Sequence, residues 1–211
     1  AIAYKMTFAF QFLPMAFVAA LYPAMSEVVG KDIQILSRLF ERGMLYLALL
    51  VAPIVGGIWA LSTVLIEHTA GSEFLESAPM LSVLIFSLGF LFLDYPIGSL
   101  LNAVGKQSMK TWVFGAALLV QIIGDLLLIP RLGGMGAALT SLGSYAVLFF
   151  VGAIIVSRLI PIRWGSLLSR GVRIFLCAAG MALLVRLLST SVSLIVLILL
   201  GGILYPLGLF L

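Results

Sequence analysis

Long apolar runs separated by short polar breaks set the pattern of this chain. Seven runs, at 4–26, 43–66, 79–103, 111–130, 135–160, 171–188 and 192–211, approach or exceed the roughly 20 residues that a helix needs to cross a bilayer. Their apolar character is continuous rather than alternating, so the pattern predicts membrane-spanning helices and not the strands of a membrane barrel. A helix satisfies its own backbone hydrogen bonds, which lets each run cross lipid. The fold class expected is therefore all-α, a polytopic membrane helix bundle of about seven transmembrane helices.

Composition agrees: 63% of the 211 residues are apolar, 9% are charged and the mean hydropathy is +1.27. The charges that remain are distributed unevenly. Lys31, Arg38 and Arg42 follow the first run, Lys106 and Lys110 the third, and Arg158, Arg163, Arg170 and Arg173 surround the link after the fifth. The alternate loops hold only Arg131 and Arg186, and one of them, EHTAGSEFLESAP, is acidic. Nine cations against two place the richer loops in the cytoplasm, so the first helix enters from outside and the chain ends inside. The net charge of +4 then reflects topology, and nucleic acid is not an expected partner. Ala1 opens almost directly into a span, with no signal peptide, and the chain stops on LYPLGLFL without a polar tail. Both ends suggest a C-terminal piece of a larger transporter.

The connections are too short for most membrane enzymes, which need an acid, base or metal-binding region outside the lipid. The chain has one histidine, His68, and one cysteine, Cys177, so neither a metal site nor a disulfide is expected. A retinal protein would need a Schiff-base lysine in its last helix, and 192–211 has none. No cofactor and no enzymatic activity are therefore expected. In the first cytoplasmic loop, Ile33, Leu36 and Phe40 follow helical spacing among Lys31, Arg38, Glu41 and Arg42. That segment reads either as an amphipathic helix on the inner membrane surface or as a plain connector.

Polar groups inside the spans are costly and mark pathways or buried pairs. Ser87, Asp94, Gly98 and Asn102 form one stripe in the third run, with Asp94 towards its cytoplasmic side. Gln121 and Asp125 share a face of the fourth, and the first run carries Lys5 near its outer end and Gln11 deeper, with Thr7 on the same face. Depth, at about 1.5 Å per residue, permits a Lys5–Asp125 pair and disfavours Lys5–Asp94. Pro14, Pro53 and Pro96 interrupt spans and can kink them, whereas Pro23 is expected to end its helix. Ala52, Gly56 and Ala60, and Gly136, Thr140 and Ser144, follow the small-xxx-small rule for close helix packing. Pro130 and Arg131 are expected to end the fourth span, with Gly133 and Gly134 reversing the chain.

These segments together resemble the second half of the oligosaccharide flippases of the multidrug/oligosaccharidyl-lipid/polysaccharide exporter superfamily, which handle O-antigen, exopolysaccharide and teichoic acid units. The resemblance lies in AIAYKMTFAFQFLPMAFVAALYPAMS, TAGSEFLESAPMLSVLIFS, LLNAVGKQSMKTWV and above all LLIPRLGGMGAALTSLGSY. It implies helices eight to fourteen of a fourteen-helix protein, the C-terminal lobe of a MATE-like fold, with the N-terminal lobe of the same protein as its partner. The function implied is flipping of a polyprenyl-diphosphate-linked oligosaccharide across the cytoplasmic (inner) membrane by alternating access, with membrane lipids as neighbours and H⁺ or Na⁺ as coupling ion. Lys5 matches a basic position of the family's eighth helix, which implies a substrate-binding role for it with Gln11 and Gln121. Many relatives carry two asparagines four apart where this chain has Gln121 and Asp125. An acid there, like Asp94, suits ion coupling or a cavity lining. Two alternatives remain at this level: a drug or organic-cation antiporter of the same superfamily, and a non-transporting membrane scaffold.

Overall fold

The computed structural model describes residues 2–188 together with Gly202 and Tyr205. Apart from those last two residues, the apolar run at 192–211 lies outside the described residues. The rest is helical: α1 (Ile2–Phe8), a 3₁₀ turn (Ala9–Gln11), α2 (Phe12–Val28), α3 (Ile33–Ala70), a second 3₁₀ turn (Ser72–Phe74), α4 (Ser77–Ala103), α5 (Gln107–Leu132), α6 (Gly134–Ser157) and α7 (Trp164–Leu188). With α1 and α2 taken as one bent span, six helical spans are long and apolar enough to cross a membrane among the described residues. The chain is thus an all-α, multi-pass membrane protein.

Prolines shape these helices less abruptly than expected. Pro14 sits in the first turn of α2, where a missing N–H costs nothing, directly after the 3₁₀ joint in the span. Pro23 does not end its helix, which continues to Val28, and α5 runs through Pro130 and Arg131 to Leu132. Pro53 lies inside α3 and offers no N–H to the carbonyl four residues back. That carbonyl belongs to Leu49, and the Tyr205 hydroxyl donates to it at 3.0 Å.

The segment expected to form the first cytoplasmic loop is the main departure from expectation. The segment read as a surface helix or a connector is the beginning of α3, whose 38 residues span about 57 Å at 1.5 Å each, well beyond the hydrocarbon. Asp32 caps it, its side chain accepting from the backbone N–H groups of Gln34 at 2.7 Å and Ile35 at 3.0 Å. Leu36 and Phe40 are buried and only Ile33 faces out. The segment is held by protein: the Ser37 hydroxyl donates to the Pro161 carbonyl, and Glu41 binds Arg163. Its apolar stripe is spent on Leu21, Met25, Ile97, Leu101 and Val156 at that end of the bundle.

Helix α4 is the axis of the bundle, touching α1, α2, α3 and α6, while α7 packs on α3. Leu47 and Val51 from α3 meet Ile85, Leu88 and Phe92 from α4 in a second buried cluster. Gly56 makes the close approach of α7 to α3 possible, because a Cβ there would lie 3.1 Å from the Ala178 carbonyl oxygen. Helix α5 leans chiefly on α6 and only lightly on α4. Gly133, at φ +56°, joins α5 to α6 as a single-residue link, and a Cβ on Gly136 would collide with the Leu128 carbonyl. The Ser144 hydroxyl donates to the Ala117 carbonyl at 2.8 Å. The expected small-residue packing of Gly136, Thr140 and Ser144 is thus the seam of this hairpin. The opposite face of α5, with Trp112, Leu119 and Leu126 exposed, suits lipid, where apolar surface has no water to avoid.

Candidate functional site

Since α5 follows α6 rather than α4, a space opens between α4 and α5 that α2 borders on a third side. This cavity has a volume of about 630 Å³ and is lined by polar and aromatic groups from these helices, from the 3₁₀ turn and from α6: Gln11, Tyr22, Asp94, Tyr95, Asn102, Lys110 and Tyr145 among them. A polar lining inside a hydrophobic bundle is the arrangement that a water-filled or substrate-filled pathway requires.

The central feature is a buried ion pair. Lys110 Nζ lies 2.5 Å from both Asp94 Oδ1 and Asp94 Oδ2, and the two side chains are only 11% and 7% exposed. Lys110 was counted above as a loop cation, and this is a correction: it lies in the first turn of α5 with its ammonium turned into the bundle. Gly98, one turn beyond Asp94 on α4, makes room for the lysine stem. A Cβ at that position would stand 3.6 Å from Lys110 Cε. The ammonium also sits 4.8 Å from the centroid of the Phe114 ring, a cation–π contact. Removing Lys110 from the nine cations of the richer loops leaves eight against two, so the charge bias from which the orientation was expected is unchanged.

The other expected site residues fall into different places. Gln11 lines this cavity, its Nε2 donating to the Tyr95 hydroxyl at 3.4 Å. Gln121 lines an adjoining cavity of about 390 Å³ with Tyr4, Ser141, Ser144 and Tyr145. Phe114 and Tyr145 border both spaces. Asp125 accepts from Gln121 Nε2 at 2.8 Å through Oδ2, so its partner is its neighbour on α5 and not Lys5. Lys5 is exposed, makes no ion pair among the described residues and lines neither cavity. The Lys5–Asp125 pair is therefore absent. Of the stripe on α4, Asp94, Gly98 and Asn102 reach the cavity and Ser87 does not.

Lys110, Tyr95, Ser99 and Tyr145 were not anticipated. Lys110 had a legible signal: Lys110, Phe114, Ala117, Gln121 and Asp125 follow helical spacing and share one face of α5. Ser99 lines the cavity with a buried hydroxyl that has no hydrogen-bond partner among the described residues. Among those residues no cluster of His, Cys, Asp or Glu could hold a metal ion.

No protein-family model matches the chain. Over 132 residues, 62% of its length, it is 29% identical to the uncharacterized membrane protein MJ1068 of Methanocaldococcus jannaschii, and the match covers 26% of that protein. The fold superposes over 98% of the chain, with a TM-score of 0.77 and 16% identity, on 45% of the solved structure of the lipid II flippase MurJ in an inward closed conformation. The match spans about a quarter of the first and under half of the second. The chain shares the fold of that part of the MurJ structure.

Proposed function

We propose that the chain is one lobe, the C-terminal one, of a transporter in the cytoplasmic membrane that flips a polyprenyl-diphosphate-linked oligosaccharide from the inner to the outer leaflet by alternating access, for assembly of cell-surface polysaccharide. The observation that carries this reading is the lining of the larger cavity. It combines one buried cation, Lys110, with amide, hydroxyl and aromatic groups from Gln11, Tyr22, Tyr95, Asn102 and Tyr145. A diphosphate needs a cation in a low-dielectric site, and sugars are bound by hydrogen-bonding side chains beside aromatic faces. The likeness of the fold to part of a lipid II flippase supports the same reading.

In this scheme Asp94 holds the Lys110 ammonium aimed at the cavity while the cavity is empty. An entering diphosphate competes with the carboxylate for the ammonium, and the Ser99 hydroxyl offers a further donor. Gln121 extends the polar lining towards the adjoining space, and Lys5, on the exposed surface of α1, faces a partner lobe or lipid headgroups. H⁺ or Na⁺ coupling falls to Asp94 or Asp125, acids set deep in the apolar runs of α4 and α5. A cation antiporter would need an acid free to meet its substrate; Asp94 is engaged by Lys110, and Asp125, whose Oδ1 has no hydrogen-bond partner among the described residues, lines neither cavity.

The test is transport by the whole protein in inverted membrane vesicles supplied with a polyprenyl-diphosphate oligosaccharide. Substituting Lys110 by Gln should abolish transfer to the far leaflet while leaving the protein in the membrane. Undiminished transfer by Lys110→Gln would sink the assignment, and drug efflux without glycan transfer would favour the antiporter.

A further inference from the structure

A further cavity, which shares no lining residue with the two above, lies where the beginning of α3 meets the link before α7. Its volume is about 220 Å³, and it is lined by Arg38, Glu41, Arg42, Leu45, Arg163, Ser166, Leu167 and Arg170. Four guanidinium groups thus face one carboxylate. That carboxylate is already committed: Glu41 Oε1 accepts the Arg163 backbone N–H at 2.9 Å, and Oε2 accepts Arg163 Nη2 at 3.3 Å. Arg38, Arg42 and Arg170 form no ion pair among the described residues.

Three cations gathered at one small concavity repel each other, and the arrangement is stable only where solvent or an anion offsets them. Ser166 lies in the first turn of α7, a helix of 25 residues, so the positive end of its dipole adds to the field. Guanidinium forks match the oxygens of phosphate. The site also sits at the cation-rich end of the bundle, where the α3 extension leaves the membrane, and Leu45 and Leu167 give it an apolar floor.

We propose that this cavity binds a phosphate group through Arg38, Arg42 and Arg170, with the headgroup of an anionic phospholipid in the adjoining leaflet as its source. The Glu41–Arg163 contact is the fixed back wall that holds the α3 extension against the α6–α7 link. A lipid seated there bridges the two segments and fastens the bundle to its leaflet. This site stands or falls independently of what the larger cavity carries.

The experiment is binding of phosphatidylglycerol to the purified full chain in bilayer discs of phosphatidylcholine, read by native mass spectrometry of retained lipid. Inorganic phosphate is titrated in a parallel arm. The wild-type protein should retain phosphatidylglycerol at a defined stoichiometry, and Arg38→Gln, Arg42→Gln and Arg170→Gln should each weaken retention roughly tenfold, as the loss of one charge-assisted contact implies. Arg158→Gln, on the same side but outside the cavity, should not. Protection by inorganic phosphate alone assigns the same chemistry to a soluble source. The three side chains are exposed, so these variants should fold, and Arg42→Lys, which keeps the charge, separates loss of fold from loss of binding. Binding of neither probe, or retention of phosphatidylglycerol undiminished in all three Gln variants, overturns the proposal.

Discussion

The ammonium of Lys110 bridges both carboxylate oxygens of Asp94 at 2.5 Å, joining the first turn of α5 to the middle of α4 on the wall of the larger cavity. Between two helices that otherwise touch only lightly, this pair is the principal tie.

Breaking such a pair differs from removing it. Lys110→Ala or Asp94→Ala alone leaves a largely buried charge without its partner and should lower stability by about 3–5 kcal/mol. The double replacement Lys110→Met with Asp94→Leu should be close to neutral in thermal unfolding of the detergent-solubilised protein, since two apolar side chains fill the same space. Transport should fail in all three. A stable double variant with normal transport would make the pair a packing device and nothing more.

Gly98 tests the geometry by volume. Its Cβ position lies 3.6 Å from Lys110 Cε and 4.0 Å from Nζ, ordinary van der Waals contact, so Gly98→Ala should fold and transport nearly as wild type. Gly98→Leu would place its branch where the lysine stem runs and should cost about 1–3 kcal/mol. A transport loss in the leucine variant larger than in alanine, with both proteins present in the membrane, is the expected pattern.

The helical spans were readable because lipid imposes one rule on every segment that crosses it, and runs such as that of α4 obey it residue by residue. The start of α3 was harder. Leu36 and Phe40 have the same spacing whether their partner is lipid or protein, and periodicity alone names no partner. Lys110 was obscured for a different reason. It follows a Gly-Lys turn and reads as a loop cation, while its destination depends on a carboxylate, Asp94, and a small residue, Gly98, both on another helix. Asp94 and Gln11 were found because a polar group in an apolar run is conspicuous by itself. Lys5 was conspicuous on the same grounds, but the fold leaves it on the surface.

Tyr205 and Leu49 offer a probe of the helix that Pro53 disturbs. Proline leaves the Leu49 carbonyl without its helical donor, and the Tyr205 hydroxyl supplies one at 3.0 Å. Tyr205→Phe should therefore cost about 1 kcal/mol, the loss of one part-buried hydrogen bond. In the background of Pro53→Ala, where the backbone N–H returns, the same substitution should cost markedly less. Equal losses in both backgrounds, measured by thermal unfolding, would detach the tyrosine from the proline.

Glu41 and Arg163 should prove unequal partners. The Arg163 side chain is 72% exposed while that of Glu41 is 12% exposed, so Arg163→Ala removes a largely solvated ion pair worth no more than about 1 kcal/mol. The Arg163 backbone N–H still reaches Glu41 in that variant. Glu41→Ala takes away the acceptor of both bonds, leaving a backbone N–H unpaired in the crevice, and should cost about 1–3 kcal/mol. Glu41→Gln keeps an amide oxygen for the backbone N–H and loses only the charge, so it should fall between the two. Raising the salt concentration should narrow the gap between wild type and Arg163→Ala, because only the solvated pair is screened, and leave the gap to Glu41→Ala largely intact. A larger loss for Arg163→Ala than for Glu41→Ala would mean that the guanidinium, rather than the backbone bond, fastens the α3 extension to the link before α7.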